Sequence, residues 1–184
     1  TDKSVFPGGL MGATKRMAEL AVMLYAERHP NCEYSIVRSG NVIGSSGSAL
    51  NRFVCQIENT DEVSVTHPNM ARFFISNVQL VSLIIRAVLG NHRKPGSSIS
   101  YIVDCGAPIQ IVDVVRRIAA CLGKKIVAEN PREKELVIKF TGIRYGEKLE
   151  EQMHQSIEIL DTDTEKIKIG LDEGFEATLR DLPN

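Results

Sequence analysis

Helix-patterned and strand-patterned segments take turns along this 184-residue chain, and that alternation limits the fold more than any other feature. The longest periodic stretch is Leu10–His29. Leu10, Ala13, Met17, Leu20, Ala21 and Leu24 recur at helical spacing, with Arg16, Glu19 and Glu27 off that stripe and Pro30 as the stop. The spacing predicts an amphipathic helix that buries the stripe. Tyr34–Arg38 is short and β-rich and reads as a strand. Ser48–Glu58, entered from a Gly/Ser loop, reads as a helix, and Val63–Thr66 as an alternating strand. Ser76 suits the cap of a helix running to Leu89 and closed by Gly90-Asn91. Beyond it come a strand at Ser98–Val103, a helix at Ile111–Leu122 stopped by Gly123, a strand at Leu136–Phe140 and a short helix at Glu147–Gln155. This order predicts an α/β fold with parallel strands.

Composition removes several classes. With 43% apolar and 24% charged residues, the chain can fill a core and is not built for disorder. Lys and Arg total 22 against 23 Asp and Glu, so neither a nucleic-acid partner nor a polybasic membrane contact is expected. The best apolar run, Val78–Leu89, is broken by Gln79, Ser82 and Arg86 and is too short to span a bilayer. Cys32, Cys55, Cys105 and Cys121 form no C-x-x-C pair, which argues against a zinc ribbon or a thioredoxin motif. They read as reduced, half-buried thiols of a cytoplasmic protein. His29, His67, His92 and His154 have no ligand spacing and read as loop or surface residues, so no metal is expected. The chain opens Thr-Asp-Lys without Met or an apolar leader, which suggests a piece of something longer.

The loops richest in Gly, Ser and Pro are Pro7–Gly9, Gly40–Ser48 and Lys94–Ser98. A doubly wound dinucleotide fold needs a glycine-rich turn between its first strand and first helix, and no G-x-G-x-x-G occurs. Gly40-Asn-Val-Ile-Gly44-Ser-Ser-Gly47 follows a strand, but its helix starts only after Gly47 and no acidic residue closes a second strand behind it. Alone, Thr1-Asp2-Lys3 is a run of solvated charge. Met11 and Lys15, four apart, share a helix face; alone they are a core Met beside a surface Lys.

Taken together, TDKSVFPGGLMGATKRMAE, VRSGNVIGSSGS, VTHPNMARFF and TGIRYGEKLEE occur in an order that resembles the extended short-chain dehydrogenases/reductases. The resemblance is nearest to their polysaccharide-biosynthesis, capsule-type branch, the UDP-N-acetylglucosamine 4,6-dehydratases. It covers most of the chain and weakens after about Gln155. It implies the C-terminal part of a Rossmann-type parallel sheet interleaved with a small α/β substrate-binding lobe over residues 1–184, with the cofactor-binding N-terminal half absent. It also implies oxidation at sugar C4 by tightly held NAD or NADP, loss of water across C5 and C6, and return of the hydride to C6.

Thr1 then matches a hydroxyl bonded to the sugar C4 oxygen, Asp2 the acid at C6, and Lys3 the base at C5. Lys15 matches the lysine of a Y-x-x-x-K motif, which holds the nicotinamide ribose. Met11 stands where that motif has tyrosine and has no exchangeable proton; capsule-type members resemble this pattern. Asp2, with Thr1, is then expected to take the C4 proton. Asn41, Arg72 and Arg144 match residues around the UDP diphosphate, Ser46 lies in the turn leading into a helix whose N-terminal amides could also face phosphate, and Glu147 is expected on the ribose or on Arg144. Arg38 and Lys148 read as structural, and Glu150 and Glu151 as a solvated helix face. The resemblance further implies a UDP-sugar substrate and a homodimer formed through the helix from Leu10 to His29. It implies a cytoplasmic location, the parent's anchoring by upstream helices being left open. Two other readings stand: a UDP-sugar 4-epimerase, which needs no acid and base at C6 and C5, and a non-catalytic nucleotide-sugar-binding module. Without its cofactor half the chain is expected to be inactive alone.

Overall fold

A computed structural model describes residues 1–90, 98–154 and 158–171. His92 and most of the Lys94–Ser98 loop lie outside the described residues. The chain divides into two compact units. One comprises Thr1–Gly40, Val78–Cys105 and the segment from Gln152; the other comprises Asn41–Asn77 and Gly106–Glu151.

The first unit begins with a 3-10 turn, Asp2–Ser4, followed by α1 (Leu10–Arg28) and β1 (Tyr34–Arg38). Its sheet has the order β1, β6 (Ser98–Val103), β11 (Ile167–Leu171), β10 (Glu158–Asp161). The first pair is parallel, with Val37 opposite Tyr101, and the other two are antiparallel. The expected parallel pattern therefore holds for β1 and β6 and gives way to a terminal hairpin. In that hairpin Thr162 Oγ1 donates to the carbonyls of Thr164 and Ile167 at 3.1 and 2.7 Å, which fixes the reversal. Ile36, Tyr101, Val103 and Ile167 are buried on this sheet. Leu83 and Ala87 are the buried positions of α3 (Asn77–Leu89), which begins at the end of the second unit.

Helix α1 has the expected span but not the expected face. Leu10 is 83% and Met17 67% exposed, whereas Gly12, Glu19, Met23 and Ala26 are buried. Two local causes decide this. A side chain at Gly12 would meet the Lys3 carbonyl oxygen, so only glycine lets the helix lie against the Asp2–Ser4 turn. Glu19 is drawn inward by buried hydrogen-bond donors. Of the predicted stripe, Leu10, Met17 and Ala21 are consequently exposed and Ala13, Leu20 and Leu24 only partly buried.

The second unit contains β2 (Asn41–Val42), α2 (Ala49–Asn59), β3 (Glu62–Val65), β4 (Ala71–Arg72), β5 (Phe74–Ile75), β7 (Ile109–Gln110), α4 (Ile111–Cys121), β8 (Lys125–Val127) and β9 (Glu135–Phe140). Strands β3, β9 and β8 form a parallel three-stranded sheet. Phe53 and Ile57 of α2 and Ile111, Val112, Val115 and Ala119 of α4 share one core with Val63, Val65 and Leu136. The i, i+4 spacing on both helices is what makes that face continuous. Strands β2 and β5 pair in parallel, and β4 and β7 antiparallel.

No helix forms over 147–155: residues 141–154 run as turns and irregular chain, and Gln155 lies outside the described residues. The Leu149 carbonyl accepts from the Ala71 N–H at 2.9 Å and from Arg72 at 3.0 Å, partners far away in sequence that hold the segment extended against β4. Glu151, expected on a solvated face, is buried, with Lys148 Nζ 3.4 Å from its carboxylate. Three of the four thiols also depart from expectation: Cys32, Cys55 and Cys121 are exposed, and only Cys105 is half-buried.

Candidate functional site

The residues singled out in the sequence fall into two groups, one in each unit. In the first unit Thr1 caps the 3-10 turn. Its Oγ1 accepts from the Lys3 N–H at 3.4 Å and donates to Asp2 Oδ1 at 3.3 Å. Lys3 Nζ donates to the same carboxylate oxygen at 3.0 Å. Asp2 is 1% exposed, and its N–H donates to the Ser39 carbonyl at 3.1 Å, which ties the turn to the end of β1. Asp2 Oδ2 is buried without a hydrogen-bond partner among the described residues. Burying such an oxygen is costly unless a donor or a proton reaches it. The turn therefore joins a hydroxyl, a carboxyl and an amine in one hydrogen-bonded set, suited to moving protons between adjacent atoms of a substrate.

Met11 and Lys15 lie on α1, four residues apart and both exposed, so Met11 is not a core residue. An exposed ammonium with three donors suits the hydroxyls of a nicotinamide ribose. The residues present thus fit the edge of a nicotinamide cofactor, while the Met11 thioether adds no proton donor or acceptor of note.

The second unit gathers Arg72, Glu147 and the backbone of Arg144. Arg72 Nη1 donates to the carbonyls of Ala71 and Leu149 at 2.7 and 3.0 Å, and Nη2 lies 3.9 Å from Glu147 Oε1. Thr66 Oγ1 donates to Glu147 Oε1 at 3.3 Å, and the Arg144 N–H donates to Glu147 Oε2 at 3.2 Å. The Glu147 N–H returns to the Arg144 carbonyl at 3.0 Å around Gly146, whose φ of 74° favours glycine. Glu147 is thus occupied by a backbone turn, and the Arg144 side chain is exposed. Asn41 donates from both its backbone N–H and Nδ2 to the Phe73 carbonyl, at 2.8 and 3.2 Å. Ser46 sits in the exposed turn before α2, which Ser48 caps by accepting from the Asn51 N–H.

A family description for "polysaccharide biosynthesis protein" matches residues 1–170. The chain belongs to that family. It is 38% identical over 159 residues to the capsular polysaccharide biosynthesis protein CapD of Staphylococcus aureus, covering 86% of this chain and 25% of that protein. It is 36% identical over 160 residues to the probable polysaccharide biosynthesis protein EpsC of Bacillus subtilis, with the same coverage of each. A UDP-glucose 4-epimerase of Rickettsia typhi is 32% identical over 165 residues, 89% of this chain and 44% of that one. Among solved structures, Pen from Bacillus thuringiensis superposes with a TM-score of 0.74 at 25% identity, over 94% of this chain and 50% of that one. The chain spans about a quarter of the length of CapD and EpsC.

Within this member of the polysaccharide biosynthesis family, all four sequence blocks lie inside the matched span, and the α/β architecture is the one expected. What sequence reasoning missed lies beneath the Thr1–Lys3 turn. Ser4 Oγ donates to Glu19 Oε1 at 2.5 Å. Arg38 Nε and Nη2 donate to Glu19 Oε1 and Oε2 at 3.1 and 2.9 Å, and Arg16 Nη1 donates to Oε2 at 3.0 Å. Burial alone would raise the Glu19 carboxyl, but the hydrogen bonds from Arg38 and Ser4 and the Arg38 charge outweigh it and hold the group below the usual carboxylate range. The one sequence signal for this network was an arginine closing an otherwise apolar strand. Cys105 is also close: burial pushes its thiol up, the Gly40 N–H at 3.3 Å opposes that, and the Asp104 and Asp2 carboxylates add to the rise. The rise favours the thiol over the thiolate. Among the described residues there is no His/Cys/Asp/Glu cluster that could hold a metal and no helix long and apolar enough to cross a membrane.

Proposed function

We propose that this chain carries the acid–base turn and the nucleotide-sugar-binding residues of a UDP-N-acetylglucosamine 4,6-dehydratase serving surface-polysaccharide synthesis. The observation behind this reading is the Thr1–Asp2–Lys3 set, in which the Thr1 hydroxyl and the Lys3 amine both bond to one oxygen of the buried Asp2 carboxylate while the other is buried without a partner. When bound, NAD or NADP supplies the reversible two-electron oxidation at sugar C4, with Lys15 on its ribose. Asp2, as carboxylate, takes the C4 hydroxyl proton by way of Thr1, since Met11 has no group for that task. Asp2 then gives this proton to the C6 hydroxyl, which leaves as water. Lys3, as amine, removes the C5 proton and, after exchange with solvent, delivers a proton to C5 once C6 has been reduced. Both residues end in the state in which they began, and the only loss is one water. Arg72, Arg144, Asn41 and Ser46 are the residues assigned to the UDP diphosphate, with Glu147 fixing the Arg144 turn.

The rival reading, a UDP-sugar 4-epimerase, draws on the Rickettsia relatives. Lys3 weighs against it, because epimerisation at C4 needs no base at C5 and no acid at C6. The deciding experiment incubates the full-length enzyme with the cofactor and UDP-N-acetylglucosamine in D2O, with the product read by NMR. A 4-keto-6-deoxy sugar carrying deuterium at C5 is expected; a C4 epimer with no loss of water refutes the dehydratase. The 184-residue chain alone is expected to leave the substrate unchanged. A large gain in the oxidation step in Met11→Tyr would refute Asp2 as the C4 base. We further infer that the outward stripe of α1 pairs with a second copy.

A further inference from the structure

We propose that Ser4, Glu19 and Arg38 form a buried brace that sets the position of the Asp2–Lys3 pair relative to α1, and so act as positioning residues for the proton transfers. The catalytic part of this inference rests on the dehydratase reading; the brace itself does not. Each end of the brace belongs to a different element. Ser4 closes the 3-10 turn that carries Asp2 and Lys3, Glu19 belongs to the helix that carries Met11 and Lys15, and Arg38 is the last residue of β1. Glu19 is the only group of the three that reaches both others. Its Oε1 accepts from Ser4 and Arg38 together, and its Oε2 from Arg38 and Arg16.

Ser4 also donates to the Thr1 carbonyl at 2.9 Å, so its hydroxyl touches the capping residue and the brace at once. Ser4 and Arg38 are both 0% exposed, so water cannot replace a lost partner. A planar guanidinium with a two-oxygen contact fixes the carboxylate in orientation as well as place. The 3-10 turn is too short to hold itself by its own hydrogen bonds. The Asp2 N–H bond to Ser39, the Thr1 amino bond to the Val37 carbonyl at 3.4 Å and the close approach to Gly12 also bear on it. Loosening the brace should therefore move the acid and the base without disturbing the diphosphate residues, which belong to the other unit.

The test is Ser4→Ala in the full-length enzyme, since it shortens a side chain and leaves the Glu19–Arg38 pair intact. Amide hydrogen exchange over residues 2–5 is expected to speed up about fivefold, the effect of losing one ordinary hydrogen bond. Turnover is expected to fall about 10- to 100-fold, with KM for UDP-N-acetylglucosamine within about twofold of the parent enzyme. A merely structural role would lower the melting temperature without splitting kcat from KM. Unchanged exchange over residues 2–5 overturns the brace whatever the activity. Faster exchange with unchanged kcat overturns the positioning role. If the parent enzyme makes no 4-keto sugar, the dehydratase reading fails by itself and the exchange result still decides the brace.

Discussion

Replacing Gly12 by alanine sets two effects of known size against each other. Within a helix, alanine is favoured over glycine by up to about 1 kcal/mol, so helix propensity alone predicts a more stable protein. The new Cβ, however, would lie 2.7 Å from the Lys3 carbonyl oxygen, 3.1 Å from Pro7 Cβ and 3.2 Å from Pro7 Cα. The nearest of these is a backbone atom and cannot swing aside, so the Asp2–Ser4 turn has to retreat by about half an ångström to reach ordinary contact. Forcing extra volume into a packed position costs about 1–3 kcal/mol. The two effects leave a net loss of stability of about 0–2 kcal/mol, a modest change in melting temperature. The functional loss should be out of proportion to it. On the proposed roles, a shift of that size in Asp2 and Lys3 should lower kcat about 10- to 100-fold while UDP binding, there assigned to residues of the other unit, stays as it was. Thermal melts, steady-state kinetics and UDP titration on one preparation check all three. A Gly12→Ala enzyme that melts higher and turns over normally would show that α1 does not set the position of the turn.

Further outcomes are open to direct measurement. The Glu19 carboxyl is held below its ordinary range, so it contributes stability that is present above the unfolded carboxylate pKa and lost as the pH falls through the folded one. Denaturant melts between neutral and acid pH should show this fall, and Glu19→Gln should flatten it; equal slopes in both proteins would contradict the assignment. Arg144→Ala should weaken UDP binding by about 1.5–3 kcal/mol in calorimetry, the usual range for a charge-assisted contact, with little effect on folding because the side chain is exposed. Arg72→Ala should weaken binding too and also cost stability, because Arg72 holds the Leu149 carbonyl; unchanged affinity in both would remove the diphosphate assignment. Met17→Glu on the outward stripe of α1 should lower the sedimentation-derived dimer fraction without lowering the melting temperature of the monomer.

Much of the fold was legible because long elements carry a period. Among the described residues, the four α-helices and the strands β1, β3, β6 and β9 lie within a residue or so of where spacing and turn residues place them. Strands β2, β4, β5 and β7 are two residues long, and two residues hold no pattern to read. The false helix over 147–155 arose because Glu147, Glu150 and Glu151 fall at helical spacing. Nothing local announced that Leu149 would bond to Ala71 and Arg72, or that Glu147 would be taken up by Thr66 and the Arg144 turn. The buried face of α1 was misjudged for the opposite reason. Hydrophobicity marked the stripe from Leu10 to Leu24, while the face that packs holds a glycine and an ion-paired glutamate. Thr1, Asp2 and Lys3 could be picked out only by resemblance, and their hydrogen-bonded proximity is a fact of the turn. Ser4 and Glu19 carried no signal, since a buried polar network is defined by partners distant in sequence.

The first unit is stitched from three stretches of chain with the second unit threaded between them. On a ribosome, α1 and β1 emerge long before β6, the strand β1 must pair with, and β11 comes later still. The Asp2–Ser4 turn can dock on Ser39 and Glu19 early, yet its sheet stays unclosed until β11 has been made. The second unit's α2, β3, α4, β8 and β9 core is complete by Phe140 and can consolidate first. Because closing β1 onto β6 encloses so much intervening chain, its entropic cost falls if that chain is already compact. Destabilising the core around Phe53 and Val115 should therefore slow the pairing of β1 with β6, strands to which these residues do not belong.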